Sequence, residues 1–324
     1  MKKQALVTGG GGFIGIHFID HLLAKTDFEV TNIDSLTYAT NVKALQAFRH
    51  HPRYRFIRGD IRNDADLALV FDQKYDVVFH FAAETDVDRS IQDARPFYET
   101  NIAGTMNLLD FVRNRMCKCF MYISTDEVYG SLTKEQRPFK ESDPIAPNNP
   151  YAASKASAEL FVQAYANTYD LPIIITRCSN NYGPLQHQEK LIPKVIVHAL
   201  LEKEIPLYGD GEQIRDWLYV TDHCRALHLL AEKGVLGEIY NIGGGFELTN
   251  LQVVTLIVQL LKKDEQLITF VPDRLGHDRR YGLDTTKIQS LGFVPEIGFY
   301  KGIVETVDWY KRHYGDYRVD EGEK

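Results

Sequence analysis

Short apolar runs alternate with longer amphipathic segments along the first half of the chain, and this rhythm limits the possible folds more than any other feature. Each run is rich in Val, Ile, Phe or Tyr, and each is followed by a turn and by apolar residues at helical spacing. The predicted strands are Ala5–Thr8, Glu29–Ile33, Arg55–Ile57, Val77–Phe81, Phe120–Ser124 and Ile173–Thr176. The predicted helices include Ile14–Ala24, Asp66–Phe71, Asn101–Arg113 and Tyr151–Tyr169. Such alternation predicts an α/β fold, a Rossmann-type doubly wound parallel sheet.

The rhythm changes after Cys178, where loops lengthen and Gly and Pro cluster at 182–184 and 209–211. We therefore predict a nucleotide-binding Rossmann domain over residues 1–178 and a smaller α/β substrate-binding domain over residues 179–324. The pattern leaves open whether segments of the second domain return to the first.

Composition excludes several classes of protein. The 324 residues include 37 Lys and Arg against 44 Asp and Glu, a net charge of −7, which would repel nucleic acid. No apolar run reaches the roughly 18 residues of a membrane span, and the apolar stretch near the start is too short for a secretion signal. The four cysteines lack Cys-x-x-Cys spacing, so neither a disulfide framework nor a zinc site is indicated. We expect a cytoplasmic protein without nucleic-acid or membrane partners.

A glycine-rich turn directly follows the first predicted strand. Gly9, Gly12 and Gly15 supply the small residues that a tight turn and close helix packing require, and the helix start can bind a pyrophosphate. A merely flexible turn is the alternative. Asp34 closes the second strand about 20 residues later, where a carboxylate binds ribose hydroxyls and repels a 2′-phosphate, and Ser35 rather than arginine follows. The sequence therefore predicts NAD rather than NADP.

Acidic and hydroxyl side chains follow the fifth predicted strand, at Thr125, Asp126 and Glu127. Ligands bind along this edge of open α/β sheets. Downstream, Tyr151 and Lys155 lie four residues apart on one face of a predicted helix. A nearby ammonium favours the phenolate, so the pair can act as a base, although a surface Tyr and a surface Lys would show the same spacing.

These motifs resemble the extended short-chain dehydrogenase/reductase family, whose members bind NAD and modify nucleotide sugars. The resemblance rests on Gly9 to Gly15, Thr125, Tyr151 and Lys155, and it extends from about Lys3 to Arg312. Further matching segments lie at residues 34–38, 87–91, 177–184, 189–193, 215–218 and 273–281. The adjacent Asp126 and Glu127 are similar to the 4,6-dehydratases, since related epimerases lack both acids and related decarboxylases usually keep only the second.

The resemblance implies oxidation, dehydration and re-reduction of one bound nucleotide-diphosphate sugar. Tyr151 with Lys155 would deprotonate the C4 hydroxyl, Thr125 would bind the same oxygen, Glu127 would remove the C5 proton, and Asp126 would protonate the departing C6 hydroxyl. The expected substrate is dTDP-glucose, with a UDP-linked sugar as the alternative. An epimerase, a decarboxylase and a catalytically silent NAD-binding regulator are the rival functions. The resemblance also implies a homodimer formed through a four-helix bundle.

The predicted cofactor site comprises Gly9, Gly12, Phe13, Ile14, Gly15, Asp34, Ser35, Leu36, Thr37, Asp60, Ile61, Phe81, Ala82, Ala83, Thr100, Tyr151 and Lys155. The predicted substrate site comprises Thr85, Asp86, Thr125, Asn180, Lys190, Leu191, Pro193, Leu207, Tyr208, Arg215, Asn250, His277 and Tyr281. Asp86 departs from the family, which usually has histidine there, and this puts the usual substrate in doubt. His17 and His21 share one helix face without an intervening metalloprotease-type Glu, and no metal site is predicted.

Overall fold

The computed structural model describes residues 2–114 and 116–313, so residues 314–324 of the predicted second domain lie outside the described residues. Within those ranges, one parallel sheet of seven strands organises the fold, in the order β3-β2-β1-β4-β5-β6-β10. Its strands are β1 (Gln4–Thr8), β2 (Glu29–Asp34), β3 (Tyr54–Arg58), β4 (Val77–His80), β5 (Phe120–Thr125), β6 (Ile173–Cys178) and β10 (Ile239–Ile242). The predicted Rossmann-type sheet is confirmed.

Helices cover both faces of this sheet because alternate strand residues point to opposite sides. Val7 and Phe79 face one apolar cluster, whereas Leu6 and Val78 face the other. The helices of this half are α1 (Phe13–Lys25), α2 (Val42–Gln46), α3 (Asp64–Val70), α4 (Val87–Gln92), α5 (Arg95–Phe97), α6 (Thr105–Arg113) and α7 (Pro150–Tyr169). The structure corrects the predicted helix Asn101–Arg113, because residues 98–104 form a π-helical turn and the α-helix begins at Thr105.

The second half of the chain builds a separate apolar core and also returns to the first sheet. Its own small sheets contain β7 (Asn180–Tyr182), β8 (Ile205–Tyr208), β9 (Ile214–Tyr219), β11 (Glu247–Thr249) and β12 (Ile268–Val271). Its helices are α8 (Leu191–Leu200), α9 (Val220–Lys233), α10 (Asn250–Leu260), α11 (Thr286–Ser290) and α12 (Phe299–Arg312). Helix α9 packs on α1, and β10 extends the parallel sheet beside β6. In the part of the chain that the structure describes, no helix is both long and apolar enough to cross a membrane.

Candidate active site

The turn between β1 and α1 can be formed only by small residues. Gly9 has φ of +72°, and a Cβ there would lie 2.6 Å from the backbone of Ala82. A Cβ on Gly15 would meet the Gly9 carbonyl and the Gly10 Cα, so α1 packs directly on the turn. A Cβ on Gly12 would meet only the Gly9 carbonyl oxygen, at 3.3 Å, and Gly12 lines an open cleft. The turn therefore leaves space beside the first amides of α1, which have no intrahelical acceptor.

Asp34 holds the loop at the end of β2. Its carboxylate accepts hydrogen bonds from Gly11 N at 2.8 Å, from Leu36 N at 2.8 Å and from Thr40 Oγ1 at 3.1 Å. Leu36, which has φ of +59°, contributes its backbone amide to this loop. Its side chain does not line the cleft, in contrast to the prediction. A carboxylate at the end of β2 beside an open helix start fits the adenosine ribose and the pyrophosphate of a dinucleotide.

One cleft runs along the carboxyl ends of the parallel strands, at the point where the strand order reverses between β1 and β4. Predicted cofactor residues line it at Gly9, Gly12, Phe13, Ile14, Gly15, Asp34, Ser35, Thr37, Asp60, Ile61, Phe81, Ala82, Ala83, Thr100, Tyr151 and Lys155. The predicted catalytic residues Thr125, Asp126 and Glu127 line the same cleft. The residues predicted to bind a dinucleotide and those predicted to act as acids and bases therefore line one cleft.

Asp126 and Glu127 lie in a single 3₁₀ turn, Asp126–Tyr129, that directly follows β5. Thr125 caps this turn, since its Oγ1 accepts from Glu127 N at 3.3 Å and donates to Asp126 Oδ1 at 3.2 Å. Burial, followed by the charge of Glu127, raises the pKa of Asp126 well above its usual value. Asp126 Oδ2 is buried without a hydrogen-bond partner among the described residues. Burial beside a second carboxyl group therefore favours the protonated, acidic form of Asp126.

Helix α7 brings Tyr151 and Lys155 to the cleft. The helix is fixed to the sheet by Lys155 Nζ, which donates to Ile123 O at 2.7 Å, and by a buried ion pair between Arg177 and Glu159. Burial lowers the pKa of Lys155 to about 8. Burial, with a further contribution from Glu127, raises the pKa of Tyr151 well above its usual value, which opposes the phenolate that a nearby Lys155 ammonium would favour.

The predicted substrate residues fall into two groups. Thr85, Asn180 and Lys190 line the cleft beside Thr125, and Lys190 Nζ donates to Thr85 O at 2.7 Å. Asp86 instead caps α4, where its carboxylate accepts from Arg89 N at 3.1 Å. This departure from histidine therefore has a local structural role, since aspartate is a strong N-cap and histidine is not.

The remaining predicted substrate residues lie outside the lining of this cleft. Arg215 stacks over the Tyr281 ring at 4.2 Å and donates to Asp278 O, while His277 bonds Asp273 at 2.6 Å. Tyr208 OH donates to Asp88 at 3.1 Å. Asn250 begins α10, and its Oδ1 is buried without a partner among the described residues.

Two predicted substrate residues, Leu191 and Leu207, belong to the apolar core of the second half of the chain or pack against it, and Pro193 is buried on α8 nearby. Leu207 and Pro193 are buried, and Leu191 packs against the same core. These side chains therefore support the walls of the site more than they face the cleft.

Asn149 and Asn101 were not predicted from the sequence, yet each organises the cleft. Asn149 Nδ2 donates to Glu127 Oε2 at 3.3 Å. Buried Asn101 fixes the cleft-lining Glu84 through Glu84 N and Glu84 O, and it also donates to Ser154 on α7. The Asn149-Pro150 pair was a sequence signal for a helix start, but its contact with Glu127 is long-range.

The chain matches the family model described as GDP-mannose 4,6 dehydratase over residues 6–306. The dTDP-glucose 4,6-dehydratase of Neisseria gonorrhoeae is 48% identical over 331 residues, which cover 95% of this chain and 96% of that protein. The low-salt glycan biosynthesis protein Agl12 of Haloferax volcanii is 48% identical over 307 residues, covering 95% and 98%. The crystal structure of the dTDP-glucose 4,6-dehydratase DesIV from Streptomyces venezuelae, with NAD and dTDP bound, gives a TM-score of 0.93 at 46% identity, covering 96% and 98%.

This chain belongs to the GDP-mannose 4,6 dehydratase family, and its predicted resemblance to the extended short-chain dehydrogenase/reductases is confirmed.

Proposed function

We propose that this enzyme converts dTDP-glucose to dTDP-4-keto-6-deoxyglucose and water. The observation that carries the proposal is the presence of Asp126, Glu127 and Tyr151 in the same cleft as the dinucleotide turn. Relatives named dTDP-glucose 4,6-dehydratase, 45–48% identical over nearly the whole chain, support the same reaction. Epimerisation expels no hydroxyl group, so it does not require a buried acid with a raised pKa beside a second carboxyl group.

The proposed cofactor is NAD, with Asp34 at its ribose and the start of α1 at its pyrophosphate. When bound, NAD supplies the hydride acceptor and a cationic ring that lowers the cost of forming a phenolate. The family's solved structures with NAD bound support this assignment.

Oxidation at C4 comes first, because a ketone there acidifies the C5 proton. Tyr151 removes the proton from the C4 hydroxyl, although burial raises its pKa. The Lys155 ammonium, one helical turn away, is assigned to favour the phenolate. Thr125 Oγ1, at the end of β5, binds the same substrate oxygen.

Elimination follows. Glu127 removes the C5 proton while Asp126 donates its proton to the departing C6 hydroxyl, which leaves as water. The hydride taken from C4 returns to C6 and a proton returns to C5, so the net change is the loss of one water. The raised pKa of Asp126 supports its assignment as the acid.

The substrate diphosphate and nucleoside are assigned to Asn180, Lys190, Arg215, Asn250 and His277. Burial lowers the pKa of His277 to about 4, so its imidazole is neutral and acts as a hydrogen-bonding group at neutral pH. Among these residues, Arg215 is a buried, positively charged side chain close enough to Asp126 to act on its pKa.

We also propose a homodimer through α6 and α7, in the cytoplasm. Leu160 is 54% exposed and Phe161 38% exposed on α7, and an apolar surface of this kind favours association. All four cysteines are free and buried, which suits a reducing compartment. Light scattering tests the dimer: wild type should have twice the monomer mass and Leu160→Glu should dissociate, whereas a monomeric wild type at micromolar concentration removes the idea.

Mass spectrometry of products from dTDP-, UDP- and GDP-sugars tests the function and its substrate. We expect loss of one water from dTDP-glucose. Preferred dehydration of a UDP-sugar would move the assignment to that nucleotide, and an isomer of unchanged mass would indicate an epimerase.

A further inference from the structure

Asn149 stands immediately before α7 and caps it. Its Oδ1 accepts from Ala152 N at 2.8 Å, and its main-chain oxygen accepts from Ala153 N at 2.9 Å. The side chain is buried, with 4% of its surface exposed. Capping is therefore sufficient to explain an asparagine, a serine or an aspartate at this position.

The cap also decides which amide atom faces the base. Because Oδ1 is committed to Ala152 N, Nδ2 points toward Glu127 and donates to its Oε2 at 3.3 Å. Tyr281 OH also lies 3.4 Å from this carboxylate oxygen, but it donates its proton to Asp278 at 2.5 Å. The Asn149 contact is long for a hydrogen bond, so it orients the carboxylate more than it binds it tightly.

We propose that Asn149 is a positioning residue for C5 deprotonation, an inference that rests on the proposed function. One side chain starts the helix that carries Tyr151 and, through its other amide atom, fixes the orientation of Glu127. Tyr151, which acts in oxidation, and Glu127, which acts in elimination, are thereby held in a fixed position relative to each other. A donor at this point faces the carboxylate oxygen of Glu127, whereas an acceptor would repel it.

Three substitutions separate the cap from the contact with Glu127. Asn149→Ser keeps a capping oxygen, but its side chain is too short to donate to Glu127. Asn149→Asp keeps both size and cap and replaces the donor with a second carboxylate oxygen. Asn149→Ala loses both functions. Asn63→Ser is the control for loss of an asparagine cap, because Asn63 Oδ1 caps α3 by accepting from Ala65 N, and Glu127 is not among its hydrogen-bond partners.

The NAD-loaded variants are mixed rapidly with dTDP-glucose, and the absorbance of reduced nicotinamide is followed while quenched samples are analysed for dehydrated product. In Asn149→Ser and Asn149→Asp we expect the reduced cofactor to form at the wild-type rate and to decay about tenfold more slowly, since small misplacements of a catalytic group cost factors of this size. The unfolding midpoint of Asn149→Ser should match the wild type, whereas Asn149→Ala should unfold about 2 °C lower through loss of the cap. Asn149→Asp should also unfold at a lower temperature, because it buries a second carboxylate beside Glu127. Asn63→Ser should show wild-type kinetics.

Wild-type decay in both Asn149→Ser and Asn149→Asp overturns the positioning role and leaves Asn149 as a cap alone. Equal slowing of formation and decay in all three variants also overturns it, because it indicates a loosened helix. If wild type dehydrates no sugar nucleotide, the proposed function is wrong and the positioning role falls with it; a dehydrating wild type with unaffected variants removes only the positioning role.

Discussion

Replacing Glu127 with Gln should separate the oxidation of the sugar from its dehydration. Glutamine has the size of glutamate, and its carbonyl oxygen can accept from the donor that now approaches Oε2, Asn149 Nδ2 at 3.3 Å. The side chain therefore stays in place and loses its negative charge and its basicity.

The substitution acts on the two steps in opposite directions. A positioned general base contributes roughly 10²–10⁴-fold to proton removal, so elimination should slow by about that factor. After burial, the charge of Glu127 is the next cause that raises the pKa of Tyr151. Its removal lowers the pKa of Tyr151, and oxidation at C4 should proceed at least as fast as in wild type.

Single-turnover mixing with dTDP-glucose measures both steps. In wild type the absorbance of reduced nicotinamide should rise and fall, because the hydride is soon returned to C6. In Glu127→Gln it should rise and persist, with little dehydrated product in quenched samples. Tyr151→Phe is the control, since it lacks the group that removes the hydroxyl proton and should give no absorbance change.

Dehydration by Glu127→Gln at the wild-type rate would show that another group removes the C5 proton. Release of stoichiometric free NADH by wild type would refute the internal return of hydride, and with it the dehydratase mechanism.

Further predictions concern Asp86, Asp34 and Lys155. Asp86→His should lower the free energy of unfolding by about 1 kcal/mol through loss of the α4 cap, whereas Asp86→Asn should keep the cap; chemical unfolding measures this. Asp86→His should also shift the substrate preference between dTDP- and UDP-sugars in competition assays. An unchanged substrate preference would make the departure from the family neutral. Asp34→Asn removes the charge that repels a 2′-phosphate and should narrow the preference for NAD over NADP in calorimetry; tighter binding of NADP than NAD by wild type would contradict the assignment. The pKa of Lys155 is lowered to about 8 by burial, so above pH 8 this group binds more protons in the unfolded chain than in the fold, and its own contribution to stability should rise with pH, by up to about 3 kcal/mol once both forms are neutral. Urea unfolding of NAD-free protein should therefore show the stability of wild type rising with pH relative to that of Lys155→Met, and parallel curves would refute this.

The sequence by itself determined the doubly wound sheet and the glycine turn after its first strand, and it was sufficient to single out the residues that we propose to be catalytic. Each of these rests on local order along the chain: apolar runs at strand length, glycines directly after β1, and a carboxylate at the end of β2. The carboxyl ends of parallel strands share one edge of a sheet, so residues that follow successive strands had to converge. The adjacent Asp126 and Glu127 likewise needed no tertiary information to be noticed.

Only the tertiary structure decided how the pKa values of these side chains shift and which residues hold them in place. Burial raises the pKa of Asp126 above its usual value. Burial also raises the pKa of Tyr151, which disfavours the phenolate that the Tyr151–Lys155 spacing favours. The contact of Asn149 with Glu127 joins residues 22 apart, and β10 enters the first sheet from the second half of the chain. Burial and long-range contacts arise only when distant segments pack together, and no local pattern in the sequence records which segments will do so.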